Sequence, residues 1–453
     1  MKKTPIYDWH ASNSNNIVPF GGFLLPVYYS GIVEEHLNVR NKAGLFDVSH
    51  MGEFIISGNA SEKFMQLVTI NDVSKLTTGQ AQYNAMCDHN GGIIDDIIIY
   101  KKNSEYMMVV NASNIDKNFD WLKSVMIEDV ILKNKSMDIG LIALQGPLSR
   151  KILQPLLKQD ITDLSFYHFI EEIDIAGSDS LISRTGYTGE LGYEIYASTE
   201  SLIKIWEKLI EKGSQYGLVP AGLGCRDTLR LEMNYLLYGN DIDQEITPIE
   251  AGLGWITKFD KGDFIGRESI MQKKDKISKH IFCFSMLDRA IPRKGCDIIY
   301  NDRNIGHVTS GTMSPITKKG IGIGYIEKSH YNLDSTLKIN IRGKLKEAKI
   351  VDPPFYKDGS LNLMASGTKF QTQVWHALLK ISFGQTATYS EVSDSIGNSK
   401  SARAVANAIG RNPIAWLIPC HRVIRKSSGL GGYHWGLPLK KKMLSFERLS
   451  TTA

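Results

Sequence analysis

Residues 90–100 read NGGIIDDIIIY, and this short stretch decides how the first part of the chain folds. The Asn-Gly-Gly triplet is a hairpin-turn signal, and the apolar run that follows it predicts a strand. Asp95 and Asp96 interrupt that run. Because side chains alternate along a strand, the two carboxylates point to opposite faces, so at least one of them faces a core or a pocket.

A buried carboxylate is costly unless it has a partner, which makes this pair a candidate functional feature. Such a group suits acid–base catalysis or the stabilisation of a cation. Two structural interpretations stay open on these residues alone: both acids lie at a solvated strand end, or one of them pairs with an arginine.

The segments around this strand predict an α+β, multidomain chain. Alternating apolar residues predict strands, whereas apolar residues three and four positions apart predict helices. The predicted strands are residues 52–58 and 105–113, and the predicted helices are residues 61–70, 201–217 and 222–237. Gly-rich, strand-like runs return at 281–350 and predict a small β-barrel or sandwich, with a hairpin turn at 301–304.

Two further polar patterns stand out in the first part. Residues 183–196, SRTGYTGELGYEIY, predict a turn-rich hairpin in which Glu194 interrupts the apolar alternation. Arg226 and Arg230 lie one turn apart on the helix predicted at 222–237, where arginines are usually surface residues or ion-pair partners. The preceding GLGCRD is not a phosphate-binding loop, because the GxxxxGK pattern is absent.

A linker and a basic tail follow. Residues 351–369, VDPPFYKDGSLNLMASGTK, combine two prolines with Gly and Ser, which predicts a linker. The tail then predicts an amphipathic helix at 370–381 and two short helices around GNSK, a helix-turn-helix pattern. The predicted domains are 1–277, 278–357, a linker at 358–367, and 368–453.

Charge separates the two parts. Residues 361–453 carry 12 Lys and Arg against 3 Asp and Glu, whereas the residues before them carry 41 against 45. A basic tail favours a polyanionic partner such as nucleic acid, although a solvated lysine-rich surface gives the same count.

Targeting and redox signals are sparse. The five cysteines are scattered without a CxxC pair, so we expect reduced thiols. The N-terminus MKKTPIYDWH lacks the apolar run of a signal peptide, and no stretch reaches the length of a membrane span. We therefore expect a cytoplasmic protein with no membrane partner.

The first 357 residues resemble the T protein family of the glycine cleavage system, the tetrahydrofolate-dependent aminomethyltransferases. The matching stretches include FDVSHMGEF, NGGIIDD, SRTGYTGELGYEIY, PAGLGCRDTLRLEMNYLLYGND and SGTMSPITKKGIGIGYI. The resemblance implies three lobes around a central folate-binding hole, the last lobe a small β-barrel. It also implies transfer of an aminomethyl group from the lipoyl arm of the H protein, with release of ammonia and delivery of the methylene to tetrahydrofolate.

The same resemblance implies site residues. Asp96 matches the catalytic aspartate beside the attacking folate nitrogen, where a carboxylate stabilises a cationic iminium and manages a proton. Glu194 suits the amino-pyrimidine edge of a pterin, because a carboxylate accepts two parallel hydrogen bonds. The positions matching residues that line or support the folate site are Tyr83, Asn111, Tyr187, Glu194, Arg226 and Trp255.

Cys420 and His421 lie side by side in IPCHRVI, residues 418–424. A cysteine beside a histidine can be a nucleophile, but buried cysteines are usually structural. A zinc site would need more ligands than this segment supplies, so we predict no metal.

The tail, over about 368–448, resembles the catalytic domain of methylated-DNA–protein-cysteine methyltransferases, a winged-helix-like helical domain. PCHRV, the upstream RAV and NP, and the downstream GGY and Glu447 carry the likeness. It implies that Cys420 accepts an alkyl group irreversibly, that His421 takes its proton through a water, and that Glu447 orients His421. It further implies that three residues serve double-stranded DNA or the cysteine loop: Tyr389, Arg403 and Asn412.

Alternatives remain on sequence alone. The tail lacks the further domain that usually precedes this catalytic domain, so it could be a non-catalytic DNA-binding or partner-binding module, or an inert fusion. The body could be a folate-dependent demethylase, a class that shares such lobes. The absence of GxGxxG after a strand argues against a flavin dehydrogenase. Because a methylene on folate is not a methyl on guanine, we predict no channelling between the two parts.

Overall fold

The computed structural model describes residues 1–331, 336–356, 368–381, 384–399, 401–412, 418–426 and 429–451. The chain divides into two compact units, Met1–Leu361 and Asn362–Ala453. The linker predicted at 358–367 lies outside the described residues. Within the described ranges, no helix combines the length and apolar character that crossing a membrane would require.

The first unit is α+β before its barrel. Its strands are β1 (Lys2–Lys3), β2 (Ile17–Phe20), β3 (Phe23–Pro26), β4 (Ala43–Asp47), β5 (Gly52–Ser57), β6 (Gln80–Cys87), β7 (Ile93–Lys101), β8 (Glu105–Val110), β9 (Ile131–Asn134), β10 (Ile139–Gln145), β11 (Phe169–Ile175), β12 (Ser178–Ser183), β13 (Gly192–Ser198) and β14 (Leu218–Pro220). Its helices are α1 (Tyr7–Asn13), α2 (Ile32–Asn41), α3 (Ser61–Val68), α4 (Ile115–Ser124), α5 (Ser149–Leu153), α6 (Thr199–Gly213), α7 (Leu223–Glu232) and α8 (Arg267–Lys274).

Two larger sheets form the body of this unit. One has the order β6-β7-β8-β5-β9 and the other the order β11-β12-β13-β10-β4-β14. A small sheet, β1-β3-β2, lies near the N-terminus. Separate buried clusters pack the sheets, which matches the predicted lobed architecture.

Strand β7 contains the apolar run that Asp95 and Asp96 interrupt. It pairs with β6 on one side and with β8 on the other, so it is central in its sheet. Ile97 and Ile99 pack into one buried cluster, whereas Tyr100 packs into another on the opposite face. The alternation therefore places Asp95 and Asp96 on opposite faces, as predicted.

The turn before β7 explains its glycines. Asp88 Oδ1 accepts the backbone N–H groups of Asn90 and Gly92, at 2.8 and 3.0 Å. A Cβ atom on Gly92 would lie 1.8 Å from the carbonyl oxygen of Gln244, so only glycine fits there.

The helix predicted at 222–237 is shorter than expected. It is α7, which ends at Glu232. Asn234 has φ of 59°, and the Tyr235 N–H turns back to the Arg230 carbonyl, so the chain leaves the helix there.

A closed barrel completes the first unit and settles the choice between barrel and sandwich. Its strands are β15 (Lys279–Met286), β16 (Asp297–Tyr300), β17 (Arg303–Met313), β18 (Gly320–Glu327), β19 (Thr336–Ile341) and β20 (Lys344–Val351). They run in the order β15-β18-β17-β16-β19-β20, and β15 pairs with β20 to close the ring. Asn301 and Asp302 both have positive φ in the β16–β17 hairpin, consistent with the predicted turn.

The second unit is small and mainly helical. Its elements are α9 (Lys369–Leu378), β21 (Ala387–Thr388), α10 (Tyr389–Ser395), α11 (Ala402–Gly410), β22 (Val423–Ile424) and α12 (Leu437–Thr451). Val374, Trp375 and Leu378 of α9 are buried in its core, on the face that the spacing predicts. The Trp375 Nε1–H donates to the Ala408 carbonyl at 2.8 Å and ties α9 to α11. Strands β21 and β22 form a short parallel pair.

Candidate functional site

The first unit encloses a cavity of about 840 Å³, within the range of about 300–1,000 Å³ that small-molecule sites usually have. Apolar side chains from several lobes contribute to its wall, together with a few polar groups. All the residues predicted for the first site line this one cavity: Tyr83, Asp96, Asn111, Tyr187, Glu194, Arg226 and Trp255.

Asp96 presents its carboxyl group to this cavity from β7. The Tyr83 hydroxyl donates to Oδ2 at 3.1 Å, and Asn111 Nδ2 donates to Oδ1 at 2.9 Å. Burial raises the pKa of Asp96 to about 6, and these two hydrogen bonds oppose the rise. Asp96 can therefore exchange a proton close to neutral pH.

Asp95 faces away from the cavity and is fully buried. It accepts hydrogen bonds from Asn111, Asn114 and Asn118, which lie on and just before α4. The Asn111 amide contacts both carboxylates, with Nδ2 2.8 Å from Asp95 Oδ1. Asn111 thus lines the cavity, but its amide N–H groups are committed to the two acids.

The aromatic residues at the cavity give it flat walls. Tyr187 stacks on Tyr235 with ring centroids 5.6 Å apart, and its hydroxyl donates to the Leu236 carbonyl. Tyr83 and Trp255 are nearly parallel with centroids 6.2 Å apart. The Trp255 side chain is 64% exposed, which places it at a rim of the cavity.

Glu194 and Arg226 supply the opposite charges at the cavity. The Thr185 hydroxyl donates to Glu194 Oε2, and burial raises the pKa of Glu194. The Arg226 guanidinium lies 4.6 Å from the centre of the Tyr187 ring. Among the described residues, no hydrogen bond to that guanidinium is formed, so it remains available to a ligand.

The two arginines of α7 have different surroundings, although their helical spacing alone did not distinguish them. Arg230 is buried, and its Nη1 lies 2.8 Å from Asp241 Oδ2. Arg230 also donates to Asp227 and to the Ser310 hydroxyl of the barrel. It therefore joins α7 to its surroundings, whereas Arg226 lines the cavity.

The second unit contains the other predicted site, around Cys420. The thiol is buried at the start of a 3-10 turn, Cys420–Arg422. Asn412 Nδ2 donates to the Cys420 sulfur at 3.0 Å and to the Ile418 carbonyl at 2.9 Å. Burial raises the pKa of Cys420, and the Asn412 hydrogen bond opposes that rise.

His421 is held by a carboxylate. Its Nε2 lies 2.7 Å from Glu447 Oε1, and both side chains are buried. Arg422 donates to both oxygens of Glu447 and to the Ile381 carbonyl. Burial favours a raised pKa for Glu447, but the Arg422 and His421 hydrogen bonds lower it below its ordinary value.

Tyr389 and Arg403 occupy the two short helices of this unit. Tyr389 begins α10 and is partly buried. A Cβ on Gly431 would lie 2.7 Å from the Tyr389 hydroxyl, so the tyrosine packs closely on the GGY segment. Arg403 is the second residue of α11 and is exposed, where it can meet a ligand in solvent.

Lys440 is a buried cation that acts electrostatically on Cys420, and it was not predicted from the sequence. It is fully buried, and its Nζ donates to the carbonyl groups of Val423 and Gly432. Burial lowers its pKa to about 8. The signal was available, because Lys440 shares one helical stripe of α12 with Met443, Leu444 and Glu447, yet it lies in a run of three lysines that reads as a solvated surface.

Comparison with known proteins covers nearly the whole chain. Residues 6–261 match the sequence profile of the GCVT N-terminal domain, and residues 279–357 match that of the glycine cleavage T-protein C-terminal barrel domain. The chain is similar to an aminomethyltransferase of Caldanaerobacter subterraneus, 45% identical over 79% of this chain and 96% of that protein. It is also similar to the crystal structure of glycine cleavage system aminomethyltransferase T from Bartonella henselae, with TM-score 0.74 and 29% identity over 79% of this chain and 98% of that one.

Residues 369–449 match a different sequence profile, that of the 6-O-methylguanine DNA methyltransferase, DNA binding domain. A solved Mycobacterium tuberculosis structure, described as OGT in complex with DNA, is 49% identical over 18% of this chain and 52% of that protein, with TM-score 0.18. The present chain therefore spans about half of that protein. Among the described residues, no cluster of three or more His, Cys, Asp or Glu side chains could hold a metal ion.

Proposed function

Because this chain belongs to the aminomethyltransferase family of the glycine cleavage system, we propose that its first 357 residues transfer an aminomethyl carbon to tetrahydrofolate. The donor is the lipoyl arm of the H protein, and ammonia is released. One observation carries the proposal: the Asp96 carboxyl group faces a cavity whose wall also holds Glu194 and Arg226.

The cavity fits a folate by volume and by chemistry. Its size suits a molecule of that class, and stacked aromatic rings at Tyr187 and Tyr235 offer flat apolar surface. The Glu194 carboxylate can accept the paired N–H groups of an amino-pyrimidine edge. Arg226 can attract a carboxylate or a polarised carbonyl group, since no described residue neutralises it through a hydrogen bond.

Asp96 is the proposed catalytic residue. Tetrahydrofolate supplies the attacking nitrogen when it is bound. The carboxyl group of Asp96 then has two tasks, to stabilise positive charge that develops on the transferred carbon and to move a proton between the attacking and leaving nitrogens. Tyr83 and Asn111 fix the orientation of Asp96 for both tasks.

A reconstituted assay tests this function. The full chain is mixed with aminomethylated, lipoylated H protein, and ammonia is measured with and without tetrahydrofolate. We expect release that depends on tetrahydrofolate, and none from Asp96→Asn although it still binds the folate. If instead the protein removes methyl groups from a methylamine substrate and ignores the H protein, the body is a folate-dependent demethylase.

The second unit has its own candidate function, the acceptance of an alkyl group from O6 of guanine in double-stranded DNA. The observation that favours it is the buried Cys420 thiol with Asn412 on its sulfur, next to a His421–Glu447 pair. In this reaction a carbon–sulfur bond forms at Cys420 as the carbon–O6 bond breaks, and the electron pair of the broken bond stays on the guanine, which takes up a proton from water. The thiol proton passes through a water to His421, which Glu447 orients.

DNA has to be bound and locally opened for this chemistry. The basic balance of the tail suits the phosphate backbone, and the target base must leave the stack to expose its O6 atom. Arg403, exposed early in α11, is the residue proposed to fill the gap in the duplex. Tyr389 is proposed to rotate the nucleotide, and Asn412 to support the cysteine loop.

Transfer of a labelled methyl group from O6-methylguanine DNA decides between an alkyltransferase and a binding module. An active tail takes up one methyl per chain, and Cys420→Ala takes up none. Tight DNA binding without labelled protein would identify a non-catalytic module. Assays of chains lacking either unit then show whether each activity is independent, as we expect.

A further inference from the structure

The carboxylate next to Asp96 is an unusual neighbour for a catalytic acid. Asp95 is fully buried and does not line the cavity, so it cannot touch a substrate. Any effect that it has on the reaction must therefore pass through a neighbour that lines the cavity, Asp96 or Asn111. The two side chains leave opposite faces of β7, yet Asn111 contacts both of them.

Among the residues that the structure describes, every hydrogen bond of Asp95 is one that it accepts. Its oxygens accept four N–H groups: the Asn111 backbone N–H and the side-chain amides of Asn111, Asn114 and Asn118, at 2.6–3.1 Å. An ionised carboxylate accepts hydrogen bonds, whereas a protonated one must also donate. A proton on Asp95 would point at an N–H group, so this environment selects the anion.

The environment of Asp96 is different, because one of its partners is a hydroxyl. The Tyr83 hydroxyl donates to Oδ2, but a phenol can also accept a hydrogen bond. Asp96 can therefore carry a proton on Oδ2 and keep its bond to Tyr83 with the direction reversed. The Asp96 carboxyl group also lines the cavity, where it can meet a ligand.

Two buried carboxylates that share one amide group do not both ionise easily, because like charges repel in a medium of low dielectric constant. We propose that Asp95 is a positioning residue that holds the negative charge of an Asp95–Asp96 pair, so that Asp96 keeps a proton at neutral pH and delivers it to the departing ammonia. This inference rests on the proposed aminomethyl transfer and deepens it.

The other ionisable groups nearby are consistent with a charged Asp95 and a protonated Asp96. Lys117 lies on the Asp95 side, where it donates to the Ile94 carbonyl and to the Tyr238 hydroxyl. The groups that face Asp96 are Tyr83, Tyr167, Tyr187 and Asp241, and Arg226 is close to Tyr187. Tyr238 is influenced by Asp95 more than by Asp96. Lys117 and Asp95 attract each other electrostatically, so the positive charge of Lys117 stabilises the negative charge of Asp95.

Burial raises the pKa of both Asp95 and Asp96, so each loses its proton at a higher pH than a free carboxyl group does. Since the two groups interact, these steps belong to the pair and not to either residue. The pair therefore takes up its first proton at a higher pH than a free carboxyl group would, and the donors around Asp95 favour Asp96 as the residue that carries it.

The proton balance closes with one carboxyl group. As a carbon–nitrogen bond forms to the attacking nitrogen, the bond to the leaving nitrogen breaks, and its electron pair stays on that nitrogen. Asp96 gives this nitrogen its proton, which completes ammonia. The proton displaced from the attacking nitrogen returns to Asp96, while Asp95 keeps its negative charge. In a second exchange the other folate nitrogen bonds to the carbon as the carbon–sulfur bond to the lipoyl arm breaks, and the proton of that nitrogen passes to the lipoyl sulfur.

The test is the pH profile of kcat for Asp95→Asn in the full chain. One limb of the pH profile reports Asp96 and should be absent from Asp96→Asn. Removal of the Asp95 charge lowers the proton affinity of Asp96, so in Asp95→Asn this limb should shift to lower pH. The expected shift is about one pH unit, a tenfold change in proton affinity. The KM for tetrahydrofolate should change little, because Asp95 lies outside the cavity. If Asp95 only supports the structure, Asp95→Asn should instead show a raised KM, a lowered kcat and a pH limb at the wild-type position.

A charge of the same sign provides the matched control. Asp116 lies exposed in the first turn of α4, and Asp116→Asn should leave the profile unchanged. The double variant Asp95→Asn/Asn118→Asp moves the charge away from Asp96 while acid and amide still pair. It should show the same shift as Asp95→Asn, and it replaces that variant if the single change prevents folding.

The outcomes separate the two claims. In one outcome the wild type is active while the pH limb of Asp95→Asn lies at the wild-type pH. That result overturns the role of Asp95 and leaves the proposed aminomethyl transfer intact. A folded wild type without folate-dependent ammonia release overturns the proposed function, and the inference with it. The proposal is supported if the pH limb shifts in both Asp95 variants and not in Asp116→Asn. Asp95 then carries the negative charge and Asp96 the proton.

Discussion

The side-chain amide of Asn412 donates to the sulfur of Cys420 and, on the same nitrogen, to the carbonyl oxygen of Ile418. This one contact both fixes the loop and favours the thiolate, because it offers a hydrogen bond to a sulfur that is otherwise buried among apolar groups.

Replacement of Asn412 by alanine should therefore affect stability and reactivity together. We expect the free energy of unfolding of the second unit to fall by about 1–3 kcal/mol, since a buried carbonyl loses its donor. The single-turnover rate of methyl transfer should fall, and its rise with pH should move to higher pH as the thiol pKa increases. Asn407→Ala, at an exposed position of α11, is the control that should change neither quantity.

Glu447→Gln should slow alkyl transfer by roughly 10²-fold, the scale on which a positioned base contributes to a rate. The change removes the anionic partner of His421 and leaves Arg422 without its carboxylate. Rapid-quench measurement with methylated DNA gives the rate, and DNA affinity should be unaltered. Asp394→Asn, which removes an acid of α10, should retain the wild-type rate; equal loss in both variants would argue against an orienting role.

Lys440→Met should change how the stability of the second unit depends on pH. A lysine in the unfolded chain titrates near pH 10.4, whereas Lys440 in the folded chain has a pKa of about 8. Between these values the unfolded state binds more protons, so the folded wild type gains stability as pH rises from about 8 to about 10 and loses it as pH falls through 8.

Unfolding by denaturant at a series of pH values checks this sign. The wild type should become more stable relative to Lys440→Met as pH increases. Lys441→Met removes an exposed charge from the same helix and should parallel the wild type at every pH. Parallel curves for all three proteins would show that Lys440 is not buried as a cation.

Glu194→Gln should weaken tetrahydrofolate binding by about 10–100-fold, since a hydrogen bond to a charged group contributes about 1.5–3 kcal/mol. The Gln amide can accept only one of the two N–H groups that a carboxylate would bind. Quenching of protein fluorescence measures the Kd. Glu200→Gln, at an exposed position of α6, serves as the control, and an unchanged Kd in Glu194→Gln would exclude Glu194 from pterin recognition.

Most of the fold could be predicted from the sequence, because the residue patterns that indicate strands and helices are local. The alternation in β7 placed Asp95 and Asp96 on opposite faces, and the helical spacing of Val374 and Leu378 identified the core of the tail. The end of α7 was not predictable in this way, since the left-handed turn at Asn234 interrupts a pattern that otherwise continues.

The partners of the site residues depend on distant segments, and single-sequence periodicity does not contain them. The bond from Tyr83 to Asp96 depends on the register of β6 against β7. The environment of Asp95 had one local signal: Asn111, Asn114 and Asn118 recur at the spacing of one helical face. Asparagines on a helix are usually solvated, so only the packing of α4 on β7 gives that spacing its meaning.

Closure of the barrel has a consequence for biosynthesis. Its first strand, β15, pairs with its last, β20, through Cys283 and Val351. A ribosome makes β15 long before β20, so one edge of β15 waits unpaired while the intervening residues are synthesised. During that interval the unpaired edge of β15 can pair with a strand of another nascent chain. This risk of aggregation ends once Val351 has been synthesised and β20 closes the barrel.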